Sequence, residues 1–157
     1  KGSQQADITV FEMKHSQVSR YSAETALKLH NTAKKVRIAV GSLTSKVPKF
    51  GSEVNGVMEA ELDYAYQQRV LWEMATALGC VLPGGVFIIR VQDCLTSFTA
   101  SIVYILHRFF ARICVLKPFT SCTCSPERFV VCCSRLPHEV DITSYLLRTL
   151  ESHSALD

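Results

Sequence analysis

The run Val86-Phe87-Ile88-Ile89-Arg90-Val91, entered through the turn Pro83-Gly84-Gly85, constrains this chain more than any other feature. Apolar residues follow one another there without the in-out alternation of a half-solvated strand. That pattern describes a central strand covered on both faces, the kind found in α/β sheets. The neighbouring segments agree. A helix is expected over 23–32, with Ser19 or Ser22 as its cap and Ala26, Leu27 and Leu29 as a modest apolar face, and a strand over 36–40. A longer helix is expected over 57–78, because Met58, Leu62, Tyr66, Val70, Met74 and Leu78 recur at four-residue steps. Gly79 stands where a left-handed residue would end that helix.

Downstream, Thr96 or Ser97 is placed to cap a helix over 98–110, and 112–116 reads as a strand. A loop, Lys117 to Pro126, leads to 128–133, expected as its antiparallel partner. The tail carries Leu146, Leu147 and Leu150 at helical spacing behind Asp141 as a cap. Near the start, Ile8-Thr9-Val10-Phe11 has the β-branched and aromatic character of a strand, and a Gly, Ser, Pro and Lys-rich loop runs from Ser42 to Gly56. Strands alternating with helices and ending in an adjacent strand pair predict an α/β sheet, mostly parallel with an antiparallel edge hairpin.

At 157 residues, 48% of them hydrophobic, the chain has material for one core, so a single unit over 1–157 is expected, with 134–157 as a helical tail. A net charge of +3 permits contact with a polyanion without indicating one. The seven cysteines are odd in number and include the adjacent Cys132 and Cys133, which favours reduced thiols in strands and an intracellular, reducing compartment over a disulfide framework. Cys122-x-Cys124 and Cys132-Cys133 lack the ligand spacing of zinc modules, so no metal is expected. The longest apolar stretch, Phe98 to Leu106, is about half the roughly 20 residues needed to span a bilayer, so no membrane is expected.

Four pieces then fall in order: Leu82-Pro83-Gly84-Gly85, the strand through Arg90, Leu116-Lys117-Pro118-Phe119-Thr120-Ser121, and Ser125-Pro126-Glu127-Arg128-Phe129-Val130-Val131-Cys132. In sequence and spacing this set resembles the end of a Rossmann-like, FtsJ-type RNA ribose 2′-O-methyltransferase domain of the mRNA-cap kind. Ala6-Asp7-Ile8-Thr9 and the strand 36–40 also fit, so the resemblance covers 6–133, the later half of such a domain without its first strands. It implies S-adenosylmethionine as methyl donor, RNA as substrate, and a lysine, aspartate, lysine, glutamate tetrad.

Set against that tetrad, the chain departs from the pattern. The glutamate falls on Glu127. The second lysine falls on Arg90, whose guanidinium stays protonated and only donates hydrogen bonds, so it is a poor base. A structural pairing of Arg90 with Asp93 or Glu127 is the plainer alternative to an RNA contact. The aspartate position holds Gly41, and an offset could recruit Glu53 instead. The first lysine and the glycine-rich cofactor loop belong before residue 6; Asp7 and Ile8 are left, by analogy, to line an adenine pocket. Lys46, Lys49, Lys117 and Arg128, with Arg135, are the candidate RNA contacts, while His15, His30 and His107 lack partners at nucleophile or metal spacing. The expectation is a degenerate methyltransferase-like domain that binds RNA or other protein subunits, with no cofactor. The alternative is an active enzyme, using S-adenosylmethionine, whose cofactor loop lies outside the chain.

Overall fold

The computed structural model describes residues 21–32, 35–41, 56–137 and 142–154. The elements run α1 (Ala23–Thr32), β1 (Val36–Gly41), α2 (Gly56–Cys80), β2 (Val81–Val91), α3 (Ser97–Phe109), β3 (Phe110–Leu116), β4 (Arg128–Arg135) and α4 (Ile142–Ser154). The expected strand at 8–11, the loop from Ser42, and the caps Ser19 and Asp141 lie outside the described residues.

The four strands form one sheet in the order β1-β2-β4-β3. β1 and β2 are parallel; β4 is antiparallel to both β2 and β3 and lies between them. This is the expected α/β architecture: β1, β2 and β3 share one direction, and the antiparallel strand is inserted beside the central β2. α2 passes into β2 without a loop, and the register slips between Val36, paired with Val81, and Ile38, paired with Val86. The slip accommodates Pro83-Gly84-Gly85: Gly84 takes φ 76°, which L side chains rarely adopt, and a Cβ on Gly85 would stand 2.8 Å from the Arg37 carbonyl oxygen.

Local chemistry sets the helix ends. Ser22 caps α1, with its Oγ accepting from the Thr25 N–H at 3.3 Å, and Thr96 caps α3 by accepting from Thr99 N–H at 3.2 Å. Gly79 departs from expectation. It lies inside α2 rather than in a left-handed cap, and a Cβ there would meet the His30 ring at 2.8 Å. It is small because α1 crosses close to it, and Lys35 Nζ donates to its carbonyl at 2.7 Å.

Five fully buried residues of β2 and β4, Phe87, Ile89, Val91, Val130 and Cys132, share one face and join a single cluster with residues of all four helices. Each such apolar side chain contributes about 1.5–3 kcal/mol on burial. Phe87 stacks on Phe110 at 6.5 Å between ring centroids. α4 seats Leu146 and Leu150 in the same cluster, and α2, expected to bury one stripe, is buried nearly all round from Gln68 to Ala75. The opposite face of the sheet differs from the expectation of cover on both sides. Val86, Ile88 and Arg90 are half-buried, while Ile38 and Val40 on the edge strand β1 are 63% and 61% exposed.

The expectation of strand cysteines held in the core fits Cys132; Cys80, at the end of α2, is buried as well. It fails for Cys94, Cys114, Cys122 and Cys124, which are exposed because they sit on the α3 approach, the outer strand and the following loop.

Candidate active site

In an open α/β sheet, ligand-contacting groups come from the carboxyl ends of the parallel strands. Here those ends are Gly41 on β1 and Arg90-Val91 on β2. Glu127 immediately precedes β4, whose Arg128 pairs with Val91, so the antiparallel register alone brings residues 90 and 127 together. Their side chains meet as a fork on a fork: Arg90 Nε lies 2.7 Å from Glu127 Oε1, and Arg90 Nη2 donates to Oε2 at 2.8 Å. Both are about three-quarters covered, at 23% and 24% exposure. The Glu127 backbone N–H donates to Ser125 Oγ at 3.2 Å, fixing the carboxylate at the strand entrance. Asp93, the other proposed partner of Arg90, accepts instead from the Leu95 and Thr96 N–H groups at 2.8 and 3.2 Å, building the turn into α3.

The end of β1 is organised differently. A Cβ on Gly41 would stand 2.5 Å from Glu73 Oε2, so the carboxylate of Glu73, reaching from α2, already fills the volume a residue-41 side chain would enter. Glu73 and Arg69 are 3% and 5% exposed, with Arg69 Nε at 3.8 Å from Glu73 Oε1. The Arg69 guanidinium lies over the Tyr66 ring at 5.2 Å, and Tyr66 Oη accepts from the Gln92 N–H at 3.0 Å, just past the end of β2. Burial pushes both the Tyr66 and Tyr21 phenols above their ordinary range; Arg69 opposes this at both, and Glu73 adds to it at Tyr21. The two strand ends are thus linked through Glu73, Arg69, Tyr66 and Gln92.

Sequence reading did not single out Arg69 or Glu73. The signal was present: Arg69 at the start of, and Glu73 within, the largely apolar run through Leu78, two opposite charges four residues apart, together with a glycine at position 41 where a carboxylate was expected. A pair at that spacing is ordinarily a solvated surface pair, and only the packing of α1, α2 and β1 buries this one.

The proposed basic face divides. Lys117 Nζ donates to the carbonyls of Thr123 and Ser125, at 2.8 Å for the first, and so closes its own loop. Arg128 Nη1 donates to the Pro126 and Glu127 carbonyls at 3.0 and 2.8 Å, and Arg135 Nη1 donates to the Val81 carbonyl. Asp7, Ile8, Lys46, Lys49, Glu53 and His15 lie outside the described residues. No group of three or more metal-ligating side chains occurs among the described residues, and none of their helices is long and apolar enough to cross a membrane.

The fold agrees with the family that the motifs resemble, and comparison with known proteins finds the same relatives. Over 80 residues, 51% of this chain and 10% of the relative, the sequence is 38% identical to cap-specific mRNA (nucleoside-2'-O-)-methyltransferase 1 of Homo sapiens. Against the protein of that name from Dictyostelium discoideum, identity is 27% over 94 residues, 57% of this chain and 12% of the relative. The chain therefore resembles cap-specific ribose methyltransferases over about half its length, and spans about a tenth of the length of these curated relatives. No protein-family model matches it. Among solved structures, a ribosomal RNA methyltransferase from Plasmodium falciparum superposes with a TM-score of 0.42 at 22% identity, covering 71% of this chain and 54% of that one. Human methyltransferase-like protein 13, in complex with SAH, gives 0.41 at 15% identity, covering 83% and 55%.

Proposed function

We propose that this chain is a cap-methyltransferase-like domain that no longer transfers methyl groups and acts as an RNA-binding or structural subunit of a larger intracellular assembly. One observation carries the reading: the groups at both strand ends are engaged with one another. A ribose hydroxyl is a poor nucleophile and needs a group that takes or polarises its proton, held in line with the donor methyl. A guanidinium only donates hydrogen bonds, and that of Arg90 is forked onto Glu127. At β1 the position of the expected aspartate is glycine, and among the described residues the carboxylate beside it, Glu73, faces a buried arginine.

S-adenosylmethionine is the cofactor that the resemblance implies. The residues the resemblance sets against it, Asp7 and Ile8, lie outside the described residues, and what Glu73 fills at the end of β1 is the place of the expected tetrad aspartate. An RNA contact in this reading rests on Arg90 at the end of β2, with Lys46, Lys49, Lys117 and Arg128 as further candidates. Lys117 and Arg128 would then shape the loop before β4 by holding its carbonyls, more than neutralise phosphate.

The test is isothermal titration of the full-length protein carrying this chain with S-adenosylmethionine, and separately with a short capped RNA. No saturable heat from the methyl donor, with salt-dependent RNA binding weakened by Arg90→Ala, is the expected result. Absence of both interactions would leave the structural role. Saturable donor binding would overturn the reading and favour the active enzyme.

A further inference from the structure

β3 is the last strand of the sheet, and no described residue pairs with its outer edge. An open edge presents a row of N–H and C=O groups that another extended chain can complete. Natural edges are usually protected by charge, proline or a covering segment. This one carries Phe110-Ala111-Arg112-Ile113-Cys114-Val115-Leu116, with a single charge and no proline.

Two grooves flank that edge. On the α3 side, a groove of about 670 Å³ is lined by Val103, Tyr104 and His107 from the helix and by Ile113 and Val115 from the strand. Around the strand's other face, a second groove of about 610 Å³ is lined by Arg112, Cys114, Val131 and Cys133. The two meet at His107 and Ile113. The first is apolar and walled by side chains that solvent reaches, Tyr104 at 65% and Val115 at 46% exposure. The second holds the guanidinium of Arg112, and no carboxylate of the described residues lines either groove.

A strand points successive side chains to opposite faces. A peptide paired along β3 would therefore send every second residue into the α3 groove and the others toward Arg112. The apolar walls on one side and the Arg112 guanidinium on the other define what such a peptide carries. We propose that the β3 edge is a docking site for an extended peptide in which apolar and acidic residues alternate, bound by strand addition. RNA fits this surface poorly, because the larger groove offers it a hydrocarbon wall. The proposal is independent of whether the strand ends near Arg90 retain any chemistry.

The experiment is fluorescence anisotropy of an end-capped, labelled peptide of about eight residues alternating valine and glutamate, titrated with the protein. Saturable binding is expected, weakened by at least about tenfold when the peptide's valines and glutamates are shuffled out of alternation, or when the backbone nitrogens on its pairing edge are methylated. Tyr104→Glu and Arg112→Glu alter exposed positions, so circular dichroism melting should show both variants folded. Each should weaken the valine–glutamate peptide to the same degree, and Arg112→Glu should gain affinity for a valine–lysine peptide. Equal binding of shuffled and alternating peptides, or indifference to both substitutions in folded protein, overturns the proposal. So does displacement of the peptide by a short capped RNA at equal concentration, or a β3-mediated dimer in sedimentation that the peptide does not dissociate.

Discussion

The two strand ends hold arginine–glutamate pairs of opposite character. At the end of β2 the pair is tight, with contacts of 2.7 and 2.8 Å, and about a quarter of each side chain reaches solvent. Under the end of β1 the pair is looser, at 3.8 Å, and almost wholly buried. The first joins two residues 37 apart in sequence through sheet register, the second two residues one helical turn apart through the packing of α2. A pair of which a quarter still meets solvent is cheaper to break, because its groups stay partly hydrated. A buried pair is costly to break, because the surviving charge has lost its bulk water. The difference teaches that the departure at position 41 is built into the core, whereas that at position 90 is confined to the rim.

The largest effect should come from Glu73→Ala. Removing the carboxylate beside Arg69 should lower stability by about 3–5 kcal/mol, read from urea denaturation; a loss below about 1 kcal/mol would mean that the buried pair behaves like a surface one. Gly41→Asp should follow, at about 2–3 kcal/mol, since its Cβ would stand 2.5 Å from Glu73 Oε2 and a second carboxylate would face the first. In the double variant Gly41→Asp/Glu73→Ala the two losses should add to less than their sum by at least about 1 kcal/mol. Strict additivity would break the claim that Glu73 fills the place of the residue-41 side chain.

Glu127→Ala should cost only about 1 kcal/mol, because the freed guanidinium is partly hydrated at 23% exposure. The smallest effects concern the thiols. Burial, with a lesser contribution from Cys133, pushes the Cys132 thiol from 9.0 up to about 12. Iodoacetamide at mildly alkaline pH should therefore label Cys94, Cys114, Cys122 and Cys124 within minutes and spare Cys132 in the folded protein, as read by peptide mass spectrometry. The sign of the linkage follows. The unfolded thiol ionises first, so the stability this group contributes is present below pH 9.0 and is lost as pH rises toward about 12.

Much of the fold was legible because local rules and tertiary packing agree. The β2 run, the Thr96 cap, the leucine spacing of α4 and the β1 strand all obey a period or a cap that needs no distant partner to be read. Gly79 was misread because a glycine at a helix end looks the same in sequence whether it supplies a left-handed turn or makes room for His30. The burial of α2 on nearly every side depends on α1, α4 and the sheet converging on it, which four-residue periodicity does not encode. The insertion of β4 between β2 and β3 is likewise a nonlocal choice. At the candidate site, Arg90 and Glu127 were readable from motif order, and their pairing was one of two alternatives. Glu73 was not found, because its role comes from a missing side chain on a different element.

The central claim is that the groups at these two strand ends cannot activate a sugar hydroxyl. The direct measurement is transfer of labelled methyl from S-adenosylmethionine to a capped RNA by the full-length protein, beside its Arg90→Lys and Gly41→Asp/Glu73→Ala variants. Incorporation at the no-protein background for the unsubstituted protein is the result predicted. Turnover above background by the unsubstituted protein that either variant changes would contradict it.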